Sequence, residues 1–499
     1  DAVDNLISYH QIVSGQPADV TNYAYDDANR PNLVQNAFGF TQIASDDDGR
    51  TKTITFPEQA GYPGTRLDYD YTNAGQPELM TWKTRDNASL VAKWDYKYTK
   101  TIPGTSIVVD TPQQQSRQVT SSFVTAGTTT YSYSQQRLMS ATDTAGPDYT
   151  YTYDNVGNIL SEKIDTTTTH YGYDKAGELC WQGGTAGTTA QKLSLTCAAG
   201  PAGSTPFTSD AAGNNLGTTG APLTYNDDSQ VTAVGGKTQT YLDQGNDLRT
   251  KSATTLLING PLGITAFKEG GQTVYISRLP DGTPLTSRPT YGTQSYFITE
   301  QDGSVAFLVD PFGYNVGSYT YSPYGKTTLG PGVSQYNPFR WVGQWQETTA
   351  SGDPGLYKLG ARYYSTTGHF TQPDAMEGNL GDPRTMTAYN YAGGDPINQA
   401  DPSGYSAVDR FKKFVKKADG ALGKAGQVIG VAEVGYNLYK RRWKKAAAKA
   451  TGLVVGGGVG AGCSAAASAT GVGVAAVPIC GTVGGVAGDL ASKYVEKNL

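Results

Sequence analysis

The sequence predicts a mainly β protein built from stacked β-hairpins, followed by a small α-helical C-terminal domain. Three observations lead to this fold class. The 499 residues include 34 tyrosines and 62 glycines but only 17% charged residues, a composition that favours strands and turns. A Tyr-x-Tyr-Asp-x-x-Gly-x-Leu pattern recurs from residue 23 onward. After residue 405 the composition changes to Gly, Ala, Val and Lys.

The recurring pattern is typical of β-hairpins that carry their own turn signal. Tyr-x-Tyr places two rings on one strand face, Asp bonds backbone N–H groups of the turn, and Gly supplies a positive φ. One such hairpin cannot bury its rings alone, so the copies must stack. Repeated Tyr can also form a stacking platform for sugars or bases, but packing is its usual role. The clear copies are 151–160 and 171–179, and the weaker ones are 23–33, 69–79, 209–216, 225–231, 241–248 and 296–305.

The repeat pattern fades between residues 80 and 130, where we expect the sheet to be interrupted. The chain begins at Asp1 with no Met or signal-peptide pattern, and repeat-like sequence is present by Tyr25. We therefore expect it to be part of a longer protein, with an N-terminal remainder as one of its partners.

Three further motifs follow in order over residues 337–405: NPFRWVGQW (337–345), YKLGARYYSTTGHFTQPD (357–374) and TAYNYAGGDPINQADPSGY (387–405). With the repeats, they resemble the core-associated segment that closes Rhs/YD-repeat proteins, which include teneurins and insecticidal Tc-toxin C proteins. The resemblance covers roughly residues 20–405. It implies a cocoon-like YD-repeat spiral shell over 1–336, a plug and self-cleavage segment over 337–405, and a variable effector over 406–499.

Two aspartates of this segment, Asp374 and Asp401, match the pair that forms an aspartyl-protease-like site in that family. The match implies self-cleavage between Tyr405 and Ser406. The chemistry is sound, because two close carboxylates share one proton and can then activate water and polarise a carbonyl. The alternative is that the Asp-Pro pairs only start turns. Arg362 either orients a carboxylate or forms a structural ion pair.

The border segment departs from the family pattern at several points. Ala375 replaces the usual Pro after the first aspartate, Tyr405 replaces Leu, and Asp395 stands where Asn is common. The two aspartates are also 27 residues apart, wider than the family leads us to expect, and Asp382 could take either role.

The cysteines and histidines predict no metal centre. The histidines at 10, 170 and 369 lie in separate motifs, and no Cys/His cluster is present. Cys180 and Cys197 enclose a 17-residue spacing that favours a disulfide-closed hairpin loop outside the cytosol, with two buried thiols as the alternative. The pairing of Cys463 and Cys480 stays open. The glycine-rich stretch 456–462 lacks the Lys-Ser/Thr of a phosphate loop, so we expect no cofactor.

The tail divides into two parts. Residues 407–449 predict basic amphipathic helices, with Phe411, Phe414, Val415 and Ala418 on one face. Residues 450–488 form a glycine-rich apolar stretch of 39 uncharged residues, long enough for a helical hairpin across a bilayer. Its alternative is a flexible linker or a buried soluble hairpin. The four-residue glycine spacing favours close helix packing in lipid, at Gly452, Gly456, Gly460, Gly481 and Gly485.

These features predict a secreted or cell-surface toxin that encloses and releases a pore-forming or membrane-depolarising effector. Residues 406–499 carry a net charge of +9 and residues 1–405 carry −14, so the shell should attract its own tail. The target-cell membrane and an immunity protein are the other expected partners, and no nucleic acid is expected. Two alternatives stay open: an adhesive YD-repeat surface protein with a membrane-anchoring tail, and an enzymatic tail that acts on nucleic acid.

Overall fold

The structure is a computed structural model. It describes residues 5–405 and 408–409, with gaps at 12, 14–18, 59–63, 87–88, 104, 189–192, 195, 243–247, 293, 331, 333–336, 350–351 and 376–386. The chain divides into two compact units, of which the larger comprises Leu6–Pro373 and Gly378–Asp419. The other comprises Asp1–Asn5, Asp374–Glu377 and Gly420–Leu499. The predicted helical C-terminal domain lies outside the described residues, except for Val408 and Asp409, which form a strand where the sequence predicts helix.

The described residues are strands and turns, as predicted from the sequence. They contain no α-helix, and the two one-turn 3-10 helices are Trp341–Gly343 and Ala392–Gly394. The first eight strands are β1 Ser8–Gln11, β2 Asp19–Tyr25, β3 Pro31–Asn36, β4 Gly39–Ser45, β5 Thr51–Thr55, β6 Thr65–Tyr71, β7 Pro77–Thr84 and β8 Leu90–Lys97. The next eleven are β9 Thr99–Thr101, β10 Val108–Asp110, β11 Ser116–Ser121, β12 Gly127–Ser134, β13 Arg137–Asp143, β14 Tyr149–Tyr153, β15 Ile159–Ile164, β16 Thr167–Asp174, β17 Leu179–Gly183, β18 Leu193–Ser194 and β19 Thr205–Pro206.

A second series of strands follows. The sheet strands are β20 Gly217–Thr218, β21 Ala221–Tyr225, β22 Val231–Val234, β23 Lys237–Tyr241, β24 Arg249–Ser252, β25 Thr255–Gly260, β26 Gly263–Glu269, β27 Gln272–Arg278, β28 Pro284–Pro289, β29 Ser295–Thr299, β30 Val305–Val309, β31 Asn315–Tyr321 and β32 Thr327–Leu329. The short strands that end the chain are β33 Trp345–Gln346, β34 Leu356–Leu359, β35 Arg362–Ser365, β36 His369–Phe370, β37 Gln399–Ala400 and β38 Val408–Asp409.

The first sheet is a long antiparallel meander. Strands β1 to β8 pair in sequence, β8 then pairs directly with β11, and the meander continues to β17. The expected interruption between residues 80 and 130 is therefore wrong. The repeat pattern fades there because the β9–β10 hairpin is inserted between two strands that remain neighbours. The short strands β18 and β19 pair with β16 and β17, and the β16–β18 pair is parallel.

The second sheet repeats this topology with thirteen strands, β20 to β32, each paired to the next. Strands β33 to β36 form a separate four-stranded sheet, and β37 pairs with β38. Side chains of the first sheet reach into the second: the Tyr23 hydroxyl donates to the carbonyl of Arg278 (2.7 Å). One hydrophobic core joins the two sheets, with Trp82 of β7 and Trp94 of β8 packed against Phe307 of β30.

The turn of each repeat is closed by the side chain of its first residue. At Asp154, one carboxylate oxygen accepts hydrogen bonds from the backbone N–H groups of Val156, Gly157 and Asn158. Gly157 takes a φ of 102°, which a residue with a side chain seldom adopts. The same acceptor role falls to other residues with a side-chain oxygen, at Asp26, Asp46, Thr72, Asp174, Asp210, Asn226, Asp310 and Ser322.

In several repeats the tyrosine before the turn links it to the neighbouring turn on the same edge of the sheet. The Tyr173 hydroxyl donates to the carbonyl of Ile159 (2.9 Å), five residues after Asp154. This spacing recurs, and a hydroxyl thereby satisfies a carbonyl near the end of the previous turn. Burial raises the pKa of Tyr173 well above its usual value, so the ring stays a neutral donor. The other links of this kind are Tyr71 to Thr51, Tyr225 to Asn215 and Tyr321 to Val305.

Replacing Tyr173 by Phe tests this link, because Phe keeps the ring and removes only the hydroxyl. The carbonyl of Ile159 would then lose its buried donor, and we expect a loss of about 1–2 kcal/mol in the free energy of unfolding. Urea unfolding followed by tryptophan fluorescence measures it. The control is Tyr291→Phe, since Tyr291 is 72% exposed. Equal midpoints for the two variants would contradict the structural role of the link.

Candidate self-cleavage site

The three motifs between residues 337 and 405 meet in one aromatic cluster. Trp341 from the first motif stacks on Tyr364 from the second, with ring centroids 5.0 Å apart. Tyr391 from the third motif lies 4.9 Å from Trp341 and 4.6 Å from Tyr364. The cluster also contains Phe370 of β36. The motifs thus occur together because each contributes rings to the same core.

The loop that ends the third motif is locked onto the β34–β35 hairpin. Ala361, in the turn of that hairpin, donates its N–H to the carbonyl of Ser403 (2.8 Å). The two segments pass so closely that only glycine fits at Gly360 and Gly404. A Cβ on Gly360 would collide with the Ser403 carbonyl, and one on Gly404 would collide with the carbonyl of Leu359. This contact fixes the border loop relative to the sheet.

Asp401 is the buried centre of this loop, with 1% of its surface exposed. One carboxylate oxygen accepts hydrogen bonds from the Ser403 hydroxyl (2.9 Å) and from the backbone N–H of Tyr405 (3.2 Å). The other lies 3.3 Å from a guanidinium nitrogen of Arg362. The backbone N–H of Asp401 donates to the hydroxyl of Tyr391 (3.3 Å), which connects the loop to the aromatic cluster. Both oxygens of the carboxylate therefore have a hydrogen-bond or ion-pair partner.

Arg362 holds the loop from the sheet side. Besides Asp401, it donates to the carbonyl of Gly404 (2.5 Å) and to the carbonyl of Ala388 (3.1 Å). Its guanidinium lies 3.6 Å from the ring centroid of Phe370, a cation–π contact. The sequence left two roles open for Arg362, and the structure gives it both a buried ion pair and contacts that orient a carboxylate.

The structure brings Asp401 and Tyr405 together but does not test their predicted partner residues. Asp374 is partly buried and belongs to the smaller compact unit, so its pairing with Asp401 stays a prediction. Ser406 and Asp382 lie outside the described residues. Beyond the border, Val408 and Asp409 form β38 and pair with Ala400 and Gln399 of β37.

The structure describes some of the remaining predicted site residues and leaves others outside the described part of the chain. Cys180 and Cys197 form a disulfide bond in the structure. Cys463, Cys480 and the glycines Gly452, Gly456, Gly460, Gly481 and Gly485 lie outside the described residues, so their predicted roles stay untested. No helix in the described part of the chain is long and apolar enough to cross a membrane.

Sequence reasoning missed two features of the site. The first is the hydroxyl pair of Tyr391 and Ser403, which bonds Asp401; nothing in the order of the motifs assigns such contacts. The second is a buried ion pair between Arg249 of β24 and Glu347, both 2% exposed, which ties the second sheet to the four-stranded sheet. The Arg249 guanidinium also donates to the hydroxyl of Tyr363 (2.9 Å).

The chain resembles known proteins over part of its length, and no protein-family model matches it. It is similar to tRNA(Glu)-specific nuclease WapA of Bacillus subtilis subsp. natto, with 32% identity over 162 residues, 31% of this chain and 6% of that protein. It is also similar to salivary gland surface protein 1 of Aedes aegypti, with 27% identity over 198 residues, 38% of this chain and 5% of that protein. A solved structure, the crystal structure of TcdB2-TccC3-TEV, matches at 14% identity and a TM-score of 0.31, covering 79% of this chain and 30% of that chain.

Replacing Arg362 by Met should destabilise the chain, because the Asp401 carboxylate would stay buried without its cation. We expect a loss of about 3–5 kcal/mol in the free energy of unfolding. The double variant Arg362→Met/Asp401→Asn should lose less than the sum of the two single variants, since it removes both charges. The control is Arg85→Met: Arg85 and its partner Glu58 are 37% and 60% exposed, so the loss should be below about 1 kcal/mol. Urea unfolding compares the four variants with the wild type, and equal losses for Arg362→Met and Arg85→Met would contradict the buried role of Arg362.

Proposed function

We propose that this chain is part of a Rhs/YD-repeat polymorphic toxin, and that it cuts its own backbone between Tyr405 and Ser406. The observation that carries the proposal is the buried carboxylate of Asp401, which accepts the N–H of Tyr405 at 3.2 Å. This contact holds a carboxylate one residue before the proposed scissile bond. The cut would separate residues 1–405 from a tail of 94 residues.

The proposed reaction uses two carboxyl groups and one water molecule. Asp401 is assigned the role of the base, and the guanidinium of Arg362 pairs with its carboxylate. It takes a proton from water while the protonated Asp374 polarises the carbonyl of Tyr405. The water oxygen bonds to the carbonyl carbon. The C–N bond then breaks, and the nitrogen of Ser406 leaves with a proton from a carboxyl group. Arg362 acts as a positioning residue, since it also binds the carbonyl of Gly404 at 2.5 Å.

The similarity to the WapA nucleases and the order of the three motifs support the toxin assignment. The acidic segment 1–405 and the basic tail 406–499 are oppositely charged, which suits a container that holds its own effector. The proposal places the protein outside the cell that makes it. It also implies an immunity protein in that cell, and an N-terminal remainder to complete the shell.

Self-cleavage can be read directly from fragment masses of the purified chain. We expect wild-type protein to yield fragments 1–405 and 406–499, and Asp401→Asn and Asp374→Asn to stay intact, because each loses one carboxyl group of the pair. Intact-mass spectrometry measures the outcome.

The matched control for these variants is Asp154→Asn. It removes a carboxylate from one repeat turn. In another repeat turn Asn226 already plays the part that Asp154 plays here, so the turn should form and cleavage should continue. A wild-type chain that stays whole over days, or two aspartate variants that are cut like wild type, would show that the site is not a protease.

For the tail, the proposed activity is membrane permeabilisation. Its basic residues would bring it to an anionic surface, at about 1 kcal/mol per Lys or Arg. Residues 450–488 would then insert, with the glycine faces packed together. The nuclease activity in the names of the WapA relatives favours a second candidate, a tail that acts on RNA. The tail has no histidine and only five acidic residues, an inventory that suits the first candidate better.

Dye release from anionic liposomes separates the two tail activities. We expect the released tail to empty such liposomes and Gly456→Glu to abolish release, because a charge at mid-membrane is costly. The control is Gly423→Glu, which places the same charge outside the apolar stretch. RNA cleavage without dye release, or toxicity that survives Gly456→Glu, would favour the nuclease.

A surface protein is the other class of function, and the similarity to a salivary gland surface protein favours it. In that case residues 1–405 would form an adhesive domain and the apolar tail would anchor it. An anchor needs a continuous chain, whereas the toxin needs the cut, so the fragment masses decide between them.

A further inference from the structure

The β9–β10 hairpin is the one strand pair of the first sheet region that stands apart from the described meander. Its strands pair only with each other among the described strands. Every described residue from Thr99 to Asp110 is exposed, including four aliphatic side chains: Ile102 (40%), Ile107 (57%), Val108 (59%) and Val109 (39%). Because side chains alternate along a strand and Ile102 lies opposite Ile107, the side chains of Ile102, Ile107 and Val109 share one face and Val108 lies on the other. A lone two-stranded hairpin is marginally stable in water, and a cluster of exposed apolar side chains on one face marks an interaction surface.

The base of this hairpin is fixed beside the start of the tail. Gln113, four residues after Val109, donates its side-chain amide to a carboxylate oxygen of Asp395 (2.8 Å). The N–H of Gln114 donates to the side-chain oxygen of Asn398 (2.8 Å). The next residue, Gln399, begins β37 and pairs with Asp409 of β38.

The sequence that follows β38 is complementary to the hairpin. Residues 410–418 read RFKKFVKKA, and on a helix Phe411, Phe414, Val415 and Ala418 share one face with lysines around it. This segment starts one residue after Asp409. The four residues from Val109 to Gln113 span at most about 14 Å when extended. The hairpin and segment 410–418 therefore both begin close to the hydrogen bonds that Gln113 and Gln114 make with Asp395 and Asn398.

We propose that the β9–β10 hairpin is the docking surface for the apolar face of residues 411–418. Docking covers the face that carries Ile102, Ile107 and Val109 and leaves the lysines of the segment facing outward. It also masks the apolar face of the first amphipathic segment of the tail, which is an autoinhibitory contact if the tail acts on membranes. The contact itself does not depend on the proposed cleavage, because it requires only the sequence on both sides of the border.

Site-specific photocrosslinking in the full chain tests this proposal. A benzophenone amino acid replaces Val109 on the apolar face, the protein is irradiated, and the endoprotease Asp-N is used to cut before aspartates. The probe then lies in peptide 95–109, and the whole segment lies in peptide 409–418. We expect these two peptides to be joined. The control probe replaces Tyr291, which is 72% exposed on another hairpin turn, and should not capture peptide 409–418.

Two matched substitutions test whether the crosslink depends on the apolar face of the segment. Phe414→Gln should lower the yield of the crosslink about tenfold, because it removes the aromatic side chain that docking would bury. Lys413→Gln lies off the apolar face and should leave the yield unchanged. A mixture of isotopically light and heavy protein separates links within one chain from links between copies.

The outcomes are distinct. A link from position 109 to peptide 409–418 within one chain, sensitive to Phe414→Gln, supports the proposal. No link, an equal link from position 291, or a link only between copies overturns it. The same digest shows peptide 401–408 either whole or split after Tyr405, so failure of the cleavage proposal is seen separately.

Discussion

The hydrogen bond from a tyrosine hydroxyl to the carbonyl of a neighbouring turn is the constraint on which the repeats depend. Each turn is first closed internally, by a side-chain oxygen such as that of Asp174. Where a tyrosine precedes the turn, its hydroxyl then reaches the previous turn on the same edge, as that of Tyr173 does to Ile159. Neither interaction needs a particular sequence in the strands between. The strands can therefore vary in length and composition while the edge of the sheet keeps its geometry.

A second constraint is the shared core of the three motifs near the border. Trp341, Tyr364 and Tyr391 come from different motifs and are in mutual contact. The hydroxyl of Tyr391 accepts the N–H of Asp401, so the packing of this core sets the position of the carboxylate. Changes in this core would thus alter the candidate site, although Trp341, Tyr364 and Tyr391 lie outside the border loop itself.

Much of the fold could be predicted from the sequence because the repeats are local. The turn signals at Asp154 and Asp174 and the paired tyrosines before them specify hairpins whose partners are adjacent in the chain. The inserted β9–β10 hairpin was missed, since it breaks the pattern without breaking the pairing of β8 with β11. Asp401 was predicted from its motif, whereas its contacts with Arg362 and Tyr391 depend on long-range packing that no local pattern encodes. The same is true of the buried Arg249–Glu347 pair, whose residues lie far apart in the chain.

The pairing of β37 with β38 has a mechanical consequence. Gln399 and Ala400 lie before the border loop, and Val408 and Asp409 lie after it. Hydrolysis of any peptide bond in that loop would leave a nicked chain whose ends are still joined by backbone hydrogen bonds. Because the two strands are antiparallel, a force that pulls the chain after Asp409 away from the sheet breaks these hydrogen bonds one after another and not all at once. Breaking the covalent chain and parting the two pieces are therefore separate events, and the second can respond to a pulling force or to a rival strand.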